Sequence, residues 1–144
     1  MVRAGENMPT MHINSYKELI VWRKSMDLVT EIYHLTAKLP KEELYGLVMQ
    51  ARRAAVSIPS NIAEGSRRKD GLEYLHYIRI ADGSSAELET QIILIKRLYP
   101  YIDIAAAEQL LDEVQRMLHA MRRTLESKLG LTRKSSGEYN TREE

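Results

Sequence analysis

From Ser15 to Leu129 an apolar residue recurs at every third or fourth position, and this phase breaks only near Pro40, between Glu64 and Asp70, and at Pro100. Such spacing places those side chains on one face of a helix, and no stretch shows the two-residue alternation of a half-buried strand. The expected fold is therefore all-α: an antiparallel up-down four-helix bundle with connections of about two to six residues. The 144 residues, 44% apolar and 28% charged, hold enough material for one such core.

The first helix is expected to begin at Ser15, which forms an S-x-x-E capping box with Glu18; Asn14 is an alternative cap. Trp22, Met26, Val29, Tyr33 and Thr36 make one row, Leu28, Ile32, Leu35 and Leu39 make a second beside it, and Pro40 ends the helix. The second helix carries Leu44, Val48, Ala51, Ala55, Ile58 and Ile62. Pro59 falls inside this row without shifting its phase, which predicts a helix kinked at Pro59. Glu64-Gly65 reads as its stop, with Gly65 at positive φ. Asp70 caps the third helix, whose row is Tyr74, Ile78, Ala81, Ser85, Leu88, Ile92, Ile95 and Tyr99. Its small residues Gly83 to Ala86 admit a close neighbour, and the turn around Pro59 is the candidate. Asp103 caps the fourth helix, with Ala107, Leu111, Val114, Leu118, Met121 and Leu125 facing inward. The domain reading is a flexible segment 1–14, a bundle 15–129 and a disordered polar tail 130–144.

Helix three has more apolar surface than one core face uses. Leu75 and Ile93 fall on one flank, and Ile80, Leu94 and Leu98 fall near the back. A helix apolar nearly all round is covered on more than one side, and the expected cover is a second copy of the chain. These five residues are the candidate oligomer interface. The segment from Met8 to Ile13 is the competing cover.

Composition removes several kinds of chemistry. There is no cysteine, which excludes disulfides, thiolate metal sites and a cysteine nucleophile, and fits a reducing compartment. The first residues lack the apolar core of a secretory signal, and no apolar run approaches the ~20 residues that span a bilayer. A cytoplasmic protein without membrane contact is expected. Two Glu-x-x-His pairs, Glu31–His34 and Glu73–His76, have the spacing of bundle di-metal ligands. Both lie away from the apolar rows, so no metal is expected. The serines at 57, 60, 66, 84 and 85 have no histidine–carboxylate partner, and no phosphate-binding glycine loop occurs. Glu87 and Glu89 flank the core residue Leu88 and face water. The expectation is no enzyme and no cofactor.

Basic clusters remain. The net charge of +1 argues against a general polyanion binder. Residues 41–69 nevertheless hold six basic against three acidic side chains, a local +3, while residues 70–129 hold seven against ten. Arg52-Arg53, Arg67-Arg68-Lys69 and Arg122-Arg123 are the candidate nucleic-acid contacts, because a guanidinium fork suits phosphate and Tyr74 or Tyr77 offer ring faces to bases. The alternative is that these cations solubilise helix faces or pair with Glu42, Glu43 and Glu64.

The stretch from Gln50 to Gly65, QARRAAVSIPSNIAEG, resembles the signature of the bacterial 23S rRNA intervening-sequence proteins, a four-helix-bundle family. The opening Tyr16 to Trp22, the Leu39-Pro40 and Glu43 to Leu47 stretches, and the run from Ile80 to Gln91 match it too, so the resemblance covers roughly residues 15–129. Some members of that family are encoded inside intervening sequences of 23S rRNA genes. The fold is similar to that of the accessory proteins of diversity-generating retroelements, pentameric basic-surfaced barrels that bind nucleic acid and a reverse transcriptase. The resemblance therefore implies a homopentamer that binds structured RNA or DNA; the alternative is a homo-oligomeric scaffold docking a protein such as a reverse transcriptase. Read physically, most of the signature shapes the bundle: small residues for close packing, Pro59 for a bend, and Asn61 and Glu64 for hydrogen bonds across helices or to the Gly83–Ser85 region. Arg52 and Arg53 are its plausible ligand contacts, unless they pair with Glu87 or Glu89.

Overall fold

The computed structural model describes residues 15–131, which are helical with no β-strand among them. The proposed segment 1–14 and most of the tail, residues 132–144, lie outside the described residues. Four α-helices follow in order: α1 (Ile20–Thr36), α2 (Met49–Ser66), α3 (Gly71–Leu98) and α4 (Ala105–Lys128). Each helix packs on its neighbours in sequence, and α1 also packs on α4, which closes a four-cornered bundle. Cross-helix contacts set the directions. Arg52 meets Thr36 near the α1 end and Arg67 meets Tyr16 near its start; Ser57 meets Ser84, and Arg79 meets Glu126. Every adjacent pair in sequence is therefore antiparallel.

Ser15 does cap a helical start, its Oγ accepting the Lys17 N–H at 3.2 Å, but the start is a single 3₁₀ turn over Tyr16–Glu18. Leu19 then adopts extended backbone, and α1 begins only at Ile20. Its buried arc is Leu28, Ile32, Leu35 and Leu39 with Val21, Ser25 and Thr36. Both rows contribute: in the row of Trp22 to Thr36, Thr36 is buried, Trp22 and Val29 pack half-buried on the core, and Met26 and Tyr33 are exposed. Because α1 sits between α2 and α4, its buried arc centres between the two rows. Ser25 and Thr36 are accommodated in the core by donating to the Trp22 and Ile32 carbonyls.

The second helix also starts later than its row suggested. A 3₁₀ turn over Lys41–Glu43 leads into a π-helical turn over Leu44–Val48, and Gly46 leaves helical geometry at φ −103°, ψ −112°. Leu44 is consequently 51% exposed. α2 then passes through the buried Pro59 as one helix to Ser66. Gly65 is not a stop at positive φ; among the described residues only Gly130 has that conformation. A Cβ on Gly65 would stand 2.8 Å from Tyr77 Cβ and 2.9 Å from Tyr74 Cδ2, so the glycine lets α3 approach.

α3 follows its predicted row, with Ile78 to Ile95 buried and Tyr74 and Tyr99 half-buried. Of the small run, Ser84 and Ser85 are buried and Gly83 is exposed. Ser84 Oγ lies 2.7 Å from Ser57 Oγ, and Asn61 Nδ2 donates to that same Ser57 hydroxyl at 3.0 Å, so Asn61 reaches α3 through Ser57. Asp70 caps α3 by accepting from Leu72 N–H at 2.9 Å, and Asp103 accepts from Ala105 N–H at 3.0 Å ahead of α4. No helix among the described residues is long and apolar enough to cross a membrane.

Candidate functional site

The cations of the family-like stretch divide into held and unheld. Arg52 turns back onto α1: its Nε donates to Thr36 Oγ1 at 3.0 Å and its guanidinium carbon lies 4.3 Å from the Tyr33 ring centroid. It is a clamp between α1 and α2. Arg53 is exposed, with no hydrogen bond or ion pair among the described residues. Neither pairs with Glu87 or Glu89; Glu89 instead accepts from Gln115 Nε2 at 2.8 Å.

At the opposite end of α2, the turn into α3 carries Arg67, Arg68 and Lys69. Arg68 pairs with Glu64 and donates to the Tyr77 hydroxyl at 3.1 Å, which holds its guanidinium protonated more firmly than usual, chiefly through the Glu64 bond. Arg67 stands over the Tyr16 ring at 5.8 Å with no carboxylate partner among the described residues, and Lys69 is exposed without one. Arg122 belongs to a network across α3 and α4. Its Nη1 reaches Asp82 at 3.0 Å and its Nε reaches Glu126 at 3.5 Å, while His119 and Arg79 bind the same two carboxylates. Arg123, next to it, is exposed without a partner among the described residues. Asp82 and His119 were missed as partners because nothing local in the sequence relates them to Arg122. Tyr74, offered as a ring face, is half-buried against Gly65, and burial pushes its hydroxyl pKa up.

The candidate interface residues also separate. Leu75 is only 1% exposed, so it is covered by its own chain and adds nothing to an outer face. Ile80, Leu94 and Leu98 are exposed, Leu94 beside α2, and Ile93 is exposed on the α4 side. A larger apolar surface went unforeseen. Tyr33, Leu44, Tyr45, Met49 and Val56, all exposed, line an open groove of about 610 Å³ between α1 and α2, with Arg52 and Arg53 on its wall. The π-helical turn carries Leu44 and Tyr45 outward; a regular helix would have carried Leu44 inward.

That turn is latched from behind. Glu43 Oε2 accepts the Leu47 N–H at 3.2 Å, and Glu43 Oε1 accepts the Tyr99 hydroxyl at 2.7 Å. The Tyr99 bond, then the Leu47 bond, lower the Glu43 pKa, and the same bond pushes Tyr99 up to about 12. Glu31, His34, Glu73 and His76 do not converge; among the described residues no three metal-ligating side chains cluster.

Residues 17–122 match the model of a protein family described as 23S rRNA-intervening sequence protein. The match runs from the 3₁₀ turn before α1 to Arg122 in α4, and so includes the groove and the α2–α3 turn. No curated protein matches the chain.

Proposed function

The chain belongs to the 23S rRNA-intervening sequence protein family, and from that premise we propose that it acts as a non-enzymatic, homo-oligomeric accessory protein that binds structured RNA or DNA through a repeated basic surface. The observation that carries this reading is the α2–α3 turn, where Arg67 and Lys69 are exposed without a carboxylate partner among the described residues; Arg68 in that turn, Arg52 in α2 and Arg122 in α4 are held by their own chain. Phosphate contact therefore falls to Arg53, Arg67, Lys69 and Arg123. Repetition compensates for the small number per copy: the local +3 becomes about +15 over five copies, the number the family resemblance implies.

A second reading, a scaffold docking a protein partner such as a reverse transcriptase, is favoured by the exposed strip of Ile80, Leu94 and Leu98. Binding of the full chain to 23S rRNA fragments and duplex DNA across a salt series separates the two. Sub-micromolar binding that weakens steeply with salt, with a flatter slope for the Arg67→Ala/Lys69→Ala variant, is expected. An oligomer that ignores both nucleic acids at about 50 mM salt overturns the nucleic-acid reading and leaves the scaffold.

A further inference from the structure

The turn between α2 and α3 carries its cations between two groups of aromatic rings. Arg67 reaches toward the start of the bundle, its guanidinium carbon 5.8 Å from the Tyr16 ring centroid, and Tyr16 meets Trp22 edge-on at 5.3 Å. Arg68 reaches onto α3, its guanidinium carbon 5.2 Å from the Tyr77 ring centroid, and Tyr77 meets His76 edge-on at 5.4 Å. The backbone sets both groups. The 3₁₀ turn that bears Tyr16 packs on α2, and Trp22 packs on the core behind it. On the other side, Gly65 lets α3 come so near that Tyr77 Cβ is fixed beside α2. Arg67 and Arg68 are neighbours in the chain, so the two groups flank one turn, and the exposed Lys69 follows them.

The two guanidinium groups are held differently. Arg68 is fixed by Glu64 and by donating to the Tyr77 hydroxyl at 3.1 Å, so it offers a static plane. Arg67 has no carboxylate among the described residues, and 5.8 Å is close to the outer limit of about 6 Å for a cation over a ring. It is free to lift and close on a flat group laid against Tyr16. The local charge indicates what that flat group is. From Glu64 to Glu73 three cations meet three carboxylates, so phosphate attraction at a single turn is weak. A paired duplex presents its phosphates here and keeps its bases stacked inside. An unpaired strand presents base faces as well, and these stack on aromatic rings and on guanidinium planes.

We propose that this end of the bundle takes an unpaired nucleic-acid segment, with one base between Tyr16 and Arg67, a second base on the Tyr77–Arg68 stack, and a phosphate at Lys69. The inference rests on the nucleic-acid reading and deepens it: the part of a structured RNA or DNA that is held is a loop or single-stranded stretch whose bases are free. Both rings are anchored by their own chain before any strand arrives, which lowers the ordering cost of binding. The exposed His76 edge beside Tyr77 widens the aromatic surface on the α3 side. Stacking of this kind is tolerant of sequence, because every base has a π face, so the preference is for unpaired over paired strands and not for one base.

The test uses the full chain and one strand that does not pair with itself, made as RNA and as DNA, each offered free and annealed to its complement. Fluorescence anisotropy of the labelled strand reads the affinity. The natural chain is expected to bind the free strand at least about tenfold more tightly than the duplex, and comparing the RNA and DNA arms identifies which strand is preferred. Tyr16→Ser and Tyr77→Leu are each expected to weaken free-strand binding about five- to 100-fold and to leave duplex binding within about twofold. Tyr77→Phe keeps the ring and is expected to stay within about threefold of the natural chain. Circular dichroism checks that each variant folds; no residue of the 3₁₀ turn is buried, so Tyr16→Ser carries the test should Tyr77→Leu fail to fold. Equal affinity for strand and duplex in both arms, or unchanged strand binding in either folded ring variant, overturns the stacking site while nucleic-acid binding stands. A chain that binds neither strand nor duplex overturns both.

Discussion

Gly65→Ala and Gly83→Ala are the same chemical change, and the structure gives them opposite signs. In an exposed helix interior the change stabilises by about 1 kcal/mol, because alanine loses less backbone entropy on folding. Gly83 is that case, in mid-α3 with nothing within 4 Å of a Cβ. Gly65 lies one residue before the end of α2, where the propensity gain is smaller, about 0.5 kcal/mol. Its Cβ would meet Tyr77 Cβ at 2.8 Å, whereas ordinary contact begins at 3.4 Å. The Tyr74 ring can swing aside; Tyr77 Cβ is fixed to the α3 backbone, so two helices must separate. Overpacking of that kind costs about 1–3 kcal/mol. The net expectation is a destabilisation of about 1–2 kcal/mol for Gly65→Ala, or roughly 4–10 °C in Tm for a domain of this size, against a gain of about 1 kcal/mol for Gly83→Ala. Urea unfolding followed by circular dichroism measures both, at two protein concentrations so that a change in assembly is recognised. If Gly65→Ala is neutral or stabilising, the close α2–α3 approach at Tyr77 is wrong. If Gly83→Ala is destabilising at both concentrations, the open space beside α3 is wrong.

Three further outcomes follow from the same contacts. Arg52→Ala removes a charged hydrogen bond and a stack on Tyr33, and is expected to cost about 1–2 kcal/mol in urea unfolding, whereas Arg53→Ala stays within about 0.5 kcal/mol; equal effects would refute the division between held and unheld arginines. The folded-state pKa of Glu43 is depressed by Tyr99 and Leu47, so its contribution is complete above the ordinary carboxylate value of about 4.3 and is lost as pH falls through the depressed value. The Tm difference between the natural chain and Glu43→Gln should therefore hold steady from neutral pH down to about 5 and shrink on further acidification; a difference independent of pH down to about 3 refutes the latch. Tyr99, raised to about 12, behaves in the opposite sense: relative to Tyr99→Phe its contribution is present below about 10 and lost as pH rises through the folded value.

The candidate site was half legible. Arg67, Lys69, Arg53 and Arg123 were identified and stand exposed, but Arg52, Arg68 and Arg122 were indistinguishable from them in the sequence. Arg68 pairs within one helical turn and was foreseeable through Glu64, as was the Glu126 contact of Arg122; the partners that tie Arg52 and Arg122 to another helix, Thr36 and Asp82, lie 16 and 40 positions away. Leu75 and Ile93 share a flank by angle, yet one is buried and the other exposed, because helix angle says nothing about where the neighbouring helix ends. The groove was invisible for a different reason: the four-three phase continues through Leu44, while Gly46 breaks the backbone that the phase assumes.

Helix number, most of the buried rows of α2 through α4, the cap at Asp70 and membership in the bundle family were readable from order alone, since each depends on residues within a few turns of one another; Asp103 does bond the first N–H of α4, but Ile104 is the residue at its cap. The burial of Leu75, the role of Gly65, the sorting of the arginines and the exposed groove required the packed bundle. They depend on which helix lies beside which and at what height, and that is set by the joint packing of all four cores, a property no local window of the chain contains.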